Sequence, residues 1–345
     1  METATHIFLN GKKYSKENLE DIPWENIRDF LKEWWNDSES IEVQTSGSTG
    51  APKRIVLQKI HMRNSAQMTN SFFGLGSETH ALHCLPAQFI AGKMMLVRAM
   101  EGQWKTMVVS PDSNPLQHLK STISFDFAAM IPMQVSNALS EPELRVRFLA
   151  IKNVIIGGGE VSNTLLQQLQ GCSNTCYATY GMTETITHIA LRKLNGEDKT
   201  EEYTVMKGIR VNQDARSCLT IHAPTLGAEN LITNDLVEFT DFKKFKWLGR
   251  ADNIINSGGL KIIPEQLEKT IAQLITDRRF YIASEPDELF GNLLTLVIEG
   301  IPYDNTTANL LLKHLKEILP KNQSPKKLVF KEKFELTETG KIKRF

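Results

Sequence analysis

The segment from Ile151 to Tyr180 constrains this chain most, because its apolar periodicity switches from strand to helix and back within one βαβ unit. Ile151 to Ile156 is a short apolar strand, and Gly157-Gly158-Gly159-Glu160 is a tight loop after it. Ser162 can cap a helix that runs through Leu169 and stops at Gly171. Thr175 to Thr179 then reads as a second strand, which delivers Tyr180. In an open parallel sheet, ligands bind at the carboxyl ends of strands, and the triple-glycine loop and Tyr180 both lie at such ends. Phe125 to Ile131 is a further apolar strand, followed by a helix containing Val135 and Leu139. The expected fold class is therefore α/β, with layers of helix on a sheet.

The pattern changes at Arg250 to Asn253. Beyond it, Pro264 starts a helix through Leu267 and Ile271, and strands are expected near Arg279 to Ala283 and Leu293 to Ile298. A helix spans about Thr306 to Ile318, and Lys327 to Phe330 is strand-like. A chain of 345 residues exceeds what one core usually organises. Two domains are expected: a large layered α/β domain over 1–251 and a small α+β domain over 252–345.

Four segments carry chemistry. In Thr45-Ser46-Gly47-Ser48-Thr49-Gly50-Ala51-Pro52-Lys53, glycines free backbone N–H groups to face bound oxygens, hydroxyls add donors, and Lys53 supplies a mobile positive charge. That is a loop for a polyphosphate. Its spacing is not Walker A, because Ala51-Pro52 separate the second glycine from the lysine and Arg54 follows. The second segment is Tyr180-Gly181-Met182-Thr183-Glu184, whose acid beside a triphosphate needs a cation between them. The third is Asp235, followed by Trp247-Leu248-Gly249-Arg250-Ala251-Asp252-Asn253 and Ser257-Gly258-Gly259-Leu260-Lys261-Ile262. The fourth is Thr337-Glu338-Thr339-Gly340-Lys341-Ile342-Lys343-Arg344. Each alone has a plainer reading: a polar turn, a strand end with an incidental acid, a charged hairpin, a solvated basic tail.

Together and in this order, the four resemble the adenylate-forming superfamily of acyl-CoA synthetases, luciferases and peptide-synthetase adenylation domains. The resemblance covers nearly the whole chain and implies ATP, Mg²⁺ and CoA as ligands and a carboxylic acid as substrate. It implies that Thr45, Ser46, Gly47, Ser48, Thr49, Gly50 and Lys53 hold phosphates. Gly157, Gly158, Gly159, Glu160 and Tyr180 would surround adenine with Gly181 and Met182, Thr183 would meet phosphate, and Glu184 would help hold Mg²⁺. Asp235 and Arg250 would contact the ribose hydroxyls. The small domain would be a mobile lid turning at Asp252, and Lys341 would bridge substrate carboxylate and α-phosphate. The chain ends soon after Lys341, which fits a complete lid.

Departures from the family pattern narrow the expectation. Leu85-Pro86-Ala87-Gln88-Phe89-Ile90-Ala91-Gly92 places Gln88 and Phe89 where the family often has an aromatic–His pair. Gln88 and Phe89, with Lys93 nearby, are candidate substrate-pocket residues, Phe89 as an aromatic gate. Asn234 precedes Asp235 where the family has glycine, and asparagine tolerates left-handed backbone. The phosphate loop begins early, so much of the usual N-terminal subdomain is missing. That short layout resembles short forms of the 2-succinylbenzoate–CoA ligases of menaquinone biosynthesis, which implies a pocket with a cationic or amide partner and apolar walls. Open alternatives are an aryl or fatty acid–CoA ligase, an enzyme loading a carrier protein, and an inactive nucleotide-binding homologue.

Forty basic and forty acidic residues cancel, leaving no basic footprint for nucleic acid. The sequence has no apolar run of about eighteen residues and no signal-peptide pattern, so a cytoplasmic protein without a membrane span is expected. A homodimer is left open. Cys84, Cys172, Cys176 and Cys218 are expected as reduced thiols, and neither Cys172 with Cys176 nor His80 with His83 suits a metal. His188 is expected as a pocket wall or a solvated residue, since an ionised carboxylate needs no general base. Ser324-Pro325-Lys326-Lys327 reads as a solvated charge run or a contact for a CoA phosphate.

Overall fold

Strands joined by helical crossovers pair in parallel, and this rule builds the first part of the chain. The computed structural model describes residues 4–44, 54–119, 123–288, 291–335 and 342–344. These form two compact units: Met1–Arg210 with Ile221–Leu231, and Val211–Thr220 with Ile232–Phe345. Asp252 falls inside the second.

In the first unit, parallel neighbours run Thr175–Gly181, Ile151–Ile156, Phe125–Met130, His80–His83, Lys105–Val108 and His6–Leu9. Lys12–Ser15 closes one side antiparallel, and His188–Lys193 then Tyr203–Val205 extend the other. Phe125–Met130 and Ile151–Ile156 are almost continuously apolar because helices cover the sheet. Pro132–Ser140, Pro142–Leu149 and Asn163–Leu169 contribute Val135, Phe148 and Leu165 to a core shared with Ala128, Val154 and Cys176. Ser162 caps the last of these helices, its hydroxyl accepting from the Leu165 amide at 3.2 Å. The helix Ile90–Gly102 is buried all round from Gly92 to Met100. Outside this sheet, Ser40–Gln44 and Arg54–Gln58 form their own antiparallel hairpin.

In the second unit, Asp235 to Asp241 pair antiparallel with Lys244–Arg250, placing Asp235 opposite Arg250. Ile255–Ser257 and Leu260–Ile262 form a hairpin, with Gly258 and Gly259 at φ of 56° and 78° in its turn, a backbone that glycine adopts without steric cost. The helix Pro264–Ile271 and a sheet ordered Phe280–Asp287, Gly291–Glu299, Lys327–Lys331 enclose Leu267, Ile282, Leu296 and Leu315. Asp304 caps the helix Asn305–Ile318 through the Thr307 amide.

The sequence-expected elements recur with small boundary shifts. Two readings are narrowed by the structure. Asn234 lies within the extended strand Ala228–Asp241 and is not left-handed. Of the two expectations for His188, burial excludes the solvated one: strand pairing with Gly181 carries it inward, where its Nε2 lies 3.3 Å from the Thr69 hydroxyl. All four cysteines are free, and among the described residues no helix is long and apolar enough to cross a membrane.

His83 is fully buried, and desolvation lowers its pKa from 6.5 to about 4. The native state then binds fewer protons than the unfolded chain between those values, so stability should fall as pH drops through 6.5 toward 4, by up to about 3 kcal/mol from this group. Urea unfolding at pH 7 and pH 5 should show a smaller pH effect in His83→Leu than in the parent. An equal pH effect in both would exclude His83 as a source.

Candidate active site

Both expected loops of the first unit lie at carboxyl ends of neighbouring parallel strands. Gly157 follows Ile156 and its amide donates to the Met130 carbonyl at 3.1 Å. A Cβ on Gly157 would come within 2.4 Å of the Thr179 hydroxyl, and Gly158 adopts φ of 79°. The first glycine is thus required by close packing and the second by backbone conformation. Glu160 is exposed, and the Tyr180 ring packs edge-on against Tyr203 with centroids 5.7 Å apart.

From Tyr180 the strand runs into a short turn, Thr183–Thr185. Thr185 is completely buried, its hydroxyl accepting from the Met182 amide at 3.1 Å and lying 2.8 Å from the Thr187 carbonyl. Its side chain anchors the turn from within, while Glu184 is exposed and Thr183 half-buried. Mg²⁺ held with a nucleotide takes one or two carboxylates and completes its shell with phosphate and water, so an outward Glu184 fits that cation. Among the described residues no three His, Cys, Asp or Glu side chains gather into a metal cage.

Gln88 and Phe89 line a cleft of about 680 Å³ with Phe30, Val43, Ala87 and Lys93. The Pro86 carbonyl would lie 2.1 Å from a Cβ on Gly92, so this glycine lets the helix Ile90–Gly102 start directly against the Leu85–Ala87 segment. The lining thus combines apolar side chains with the Gln88 amide and the Lys93 cation. Glu25, Asp29, Glu33 and Glu42 also line the cleft, however, and Lys93 already faces Glu33 at 3.6 Å and the Phe30 ring at 4.8 Å. Burial lowers the Lys93 pKa, with Glu33 acting in the opposite direction.

The second unit brings Asp235, Arg250 and Asp252 together. Asp235 is buried, accepts from the Trp247 indole N–H at 3.2 Å, and lies 3.6 Å from the Arg250 guanidinium. Arg250 also pairs with Asp252 at 2.6 Å, and the Asn234 amide donates to the same Asp252 carboxylate at 3.0 Å. Asn234 therefore ties the strand to Asp252, a contact that glycine at this position would lack. Sequence reasoning missed that contact because it depends on cross-strand register. Lys327 pairs with Glu285 at 2.7 Å on the surface, both side chains remaining about half exposed.

Thr45, Ser46, Gly47, Ser48, Thr49, Gly50, Lys53 and Lys341 lie outside the described residues. Their flanks are described: Gln44 pairs with Arg54, and the tail after Lys341 is anchored. Ile342 packs beside Tyr281, Val297 and Phe334, while Arg344 makes two 2.7 Å bonds to Glu268. Burial raises the Glu268 pKa to about 6, with Arg344 opposing the shift.

Residues 33–216, more than half of the chain, match the profile described as AMP-binding enzyme. A solved acyl-CoA synthetase (AMP-forming)/AMP-acid ligase II-like protein from Dyadobacter fermentans is 36% identical, with a TM-score of 0.66, 96% of this chain and 97% of that one being covered. O-succinylbenzoate Coenzyme A Synthetase (MenE) from Bacillus subtilis, solved with ATP and magnesium ion, is 19% identical with a TM-score of 0.73 over 87% of this chain and 68% of that one. Among curated relatives, a 2-succinylbenzoate–CoA ligase of Lactococcus lactis is 22% identical, with 88% of this chain and 70% of the relative covered.

Gly181 carries a further steric requirement, since a Cβ there would sit 2.1 Å from the Thr187 carbonyl. Gly181→Ala should force the Thr183–Thr185 turn away and cost about 1–3 kcal/mol, read by urea unfolding. Unchanged stability would show that the two strands can separate freely at this point.

Proposed function

Since the chain belongs to the AMP-binding enzyme family, we propose that it is an AMP-forming ligase joining a carboxylic acid to CoA through an acyl-adenylate. The observation that carries this reading is the Tyr180–Glu184 loop, anchored from below by Thr185 and presenting Glu184 outward at the carboxyl edge of a parallel sheet. In the first half-reaction the acid's carboxylate attacks the α-phosphorus of ATP, a new P–O bond forms, and pyrophosphate leaves with the electrons of the broken bond. Thr183 meets phosphate, and Lys341 offsets charge on the substrate carboxylate and α-phosphate. Mg²⁺, when bound beside Glu184, would neutralise part of the polyphosphate charge. Asp235 and Arg250 hold the ribose. In the second half-reaction the CoA sulfur attacks the acyl carbon, the thiol gives up its proton, and AMP leaves.

The proposed acid is 2-succinylbenzoate, consistent with the names of curated relatives at 22–25% identity. One observation favours a second reading. Four carboxylates surround Gln88 and Phe89, and Lys93 already faces one of them, a lining that disfavours a dianion. If this cleft receives the acid, an aryl or fatty monocarboxylate fits better, with CoA or a carrier protein as acceptor. Incubation with ATP, Mg²⁺, CoA and a panel of acids including 2-succinylbenzoate, with AMP and thioester read by mass spectrometry, decides between them. Succinylbenzoyl-CoA with AMP supports the first reading, and thioester from another acid alone supports the second. No AMP with any acid would instead favour a carrier-protein acceptor, an untested acid or a binding-only role.

Two variants test the proposed parts. Lys341→Ala should abolish acyl-adenylate formation while leaving ATP binding measurable, and unchanged adenylation would remove Lys341 from the mechanism. The lid is proposed to turn about Asp252 between the half-reactions. Asp252→Pro should then keep adenylation and lose thioester formation, whereas equal loss of both would count against rotation there.

A further inference from the structure

The loop that carries Thr183 and Glu184 leaves its turn through a strained residue. Ile186 has φ of 66° and ψ of −64°, and the Thr187 amide donates to the Thr185 carbonyl at 2.7 Å across it. This is a γ-turn of the rare, strained hand, with a β-branched residue at its centre. Such a conformation is unfavourable and persists only where its surroundings over-determine it.

Those surroundings centre on Arg98. The side chain reaches from the buried helix Ile90–Gly102, its Nη2 donating to the Thr187 hydroxyl at 3.1 Å and its Nε to the Thr69 hydroxyl at 3.2 Å. Ser65 Oγ lies 3.0 Å from the Thr187 hydroxyl, and His188 Nε2 lies 3.3 Å from that of Thr69. Arg98 is 2% exposed, and among the described residues no carboxylate lies within ion-pair distance of it. Burial lowers its pKa to about 9, and burial together with the Arg98 charge holds His188 neutral. A buried cation held by hydroxyls alone is a poor stabilising device, because its desolvation is not offset by an opposite charge.

We propose that Arg98 is a positioning residue for the nucleotide site: by fixing Thr187 it holds the γ-turn at Ile186 and thereby aims Thr183 and Glu184 at magnesium–ATP. The inference rests on the proposed roles of Thr183 and Glu184. It predicts an unusual separation between stability and binding. In Arg98→Met, Thr187 keeps the Ser65 hydroxyl and Thr69 keeps the Ser65 carbonyl at 3.2 Å, so no hydroxyl loses its last partner while a buried charge is removed.

The test uses the full chain and measures the melting temperature together with calorimetric binding of magnesium–ATP and of ATP in EDTA. Arg98→Met should melt no lower than the parent, yet bind magnesium–ATP roughly 10- to 100-fold more weakly, as expected when support for a metal-binding side chain is lost. Binding of ATP in EDTA should weaken much less, because the aim of Glu184 matters only with the metal present. A lower melting temperature with unchanged binding would overturn the proposal, leaving Arg98 a packing residue. Equal weakening with and without Mg²⁺ would also overturn it, since that is the signature of lost positive charge alone. Should Arg98→Met fail to fold, Thr187→Val and Thr187→Ser decide: valine should weaken magnesium–ATP binding and serine restore it, and equal binding by both would refute the role. A parent protein that binds no magnesium–ATP would sink the nucleotide reading and this inference together. A parent that binds it, alongside an Arg98→Met that binds equally well, would sink only the inference.

Discussion

Parallel pairing between Ile151–Ile156 and Thr175–Gly181 is the constraint on which the first unit depends. Because parallel strands must be joined by crossovers, every such strand ends at the same edge, and the loops after Ile156 and Gly181 become neighbours despite their separation in the chain. The helix Asn163–Leu169 makes that crossover and buries Leu165 and Leu169 beneath the sheet. Loop chemistry can then be displayed outward while the core stays apolar.

Much of this was legible from residue order. The apolar runs, the Ser162 cap and Pro264 at a helix start identified elements correctly because each signal is local, involving neighbours within a turn or two. Non-local relations were harder. Residue type alone shows the backbone tolerance of Asn234, whereas its contact comes from a side chain that reaches Asp252, 18 residues on. The nearness of His188 to Glu184 in sequence suggests a place at the site, yet strand pairing with Gly181 carries it into the interior. Arg98 carried no motif at all, and its importance emerges only when two helices and a loop converge on it. The four carboxylates around Gln88 come from a helix and a hairpin far from that residue in sequence, so no local reading could have assembled them.

Two charged sites, one in each unit, are held in different ways. In the second, Asp235, Arg250, Asp252 and Asn234 form a partly exposed network in which each charge has an opposite or a dipole nearby. In the first, Arg98 is buried with hydroxyl partners only. Exposed networks of the first kind are adjustable and sensitive to salt, whereas a buried cation is rigid and insensitive to it. A rigid support under one loop and an adjustable cluster on the other unit are compatible with different mechanical demands on the two.

The hairpin of Ser40–Gln44 and Arg54–Gln58 has a consequence for how this chain tolerates change. Its ladder brings Gln44 and Arg54 opposite one another whatever lies between them, so the ends of that segment are already joined by the fold. The entropy of closing a loop grows only logarithmically with its length, about 0.6 kcal/mol for each doubling. In chain entropy alone, lengthening the stretch between the two strands would therefore cost the fold little. A lineage could vary this stretch with little loss of stability, so any restriction on its length across natural or engineered relatives would report selection for chemistry and not for the fold.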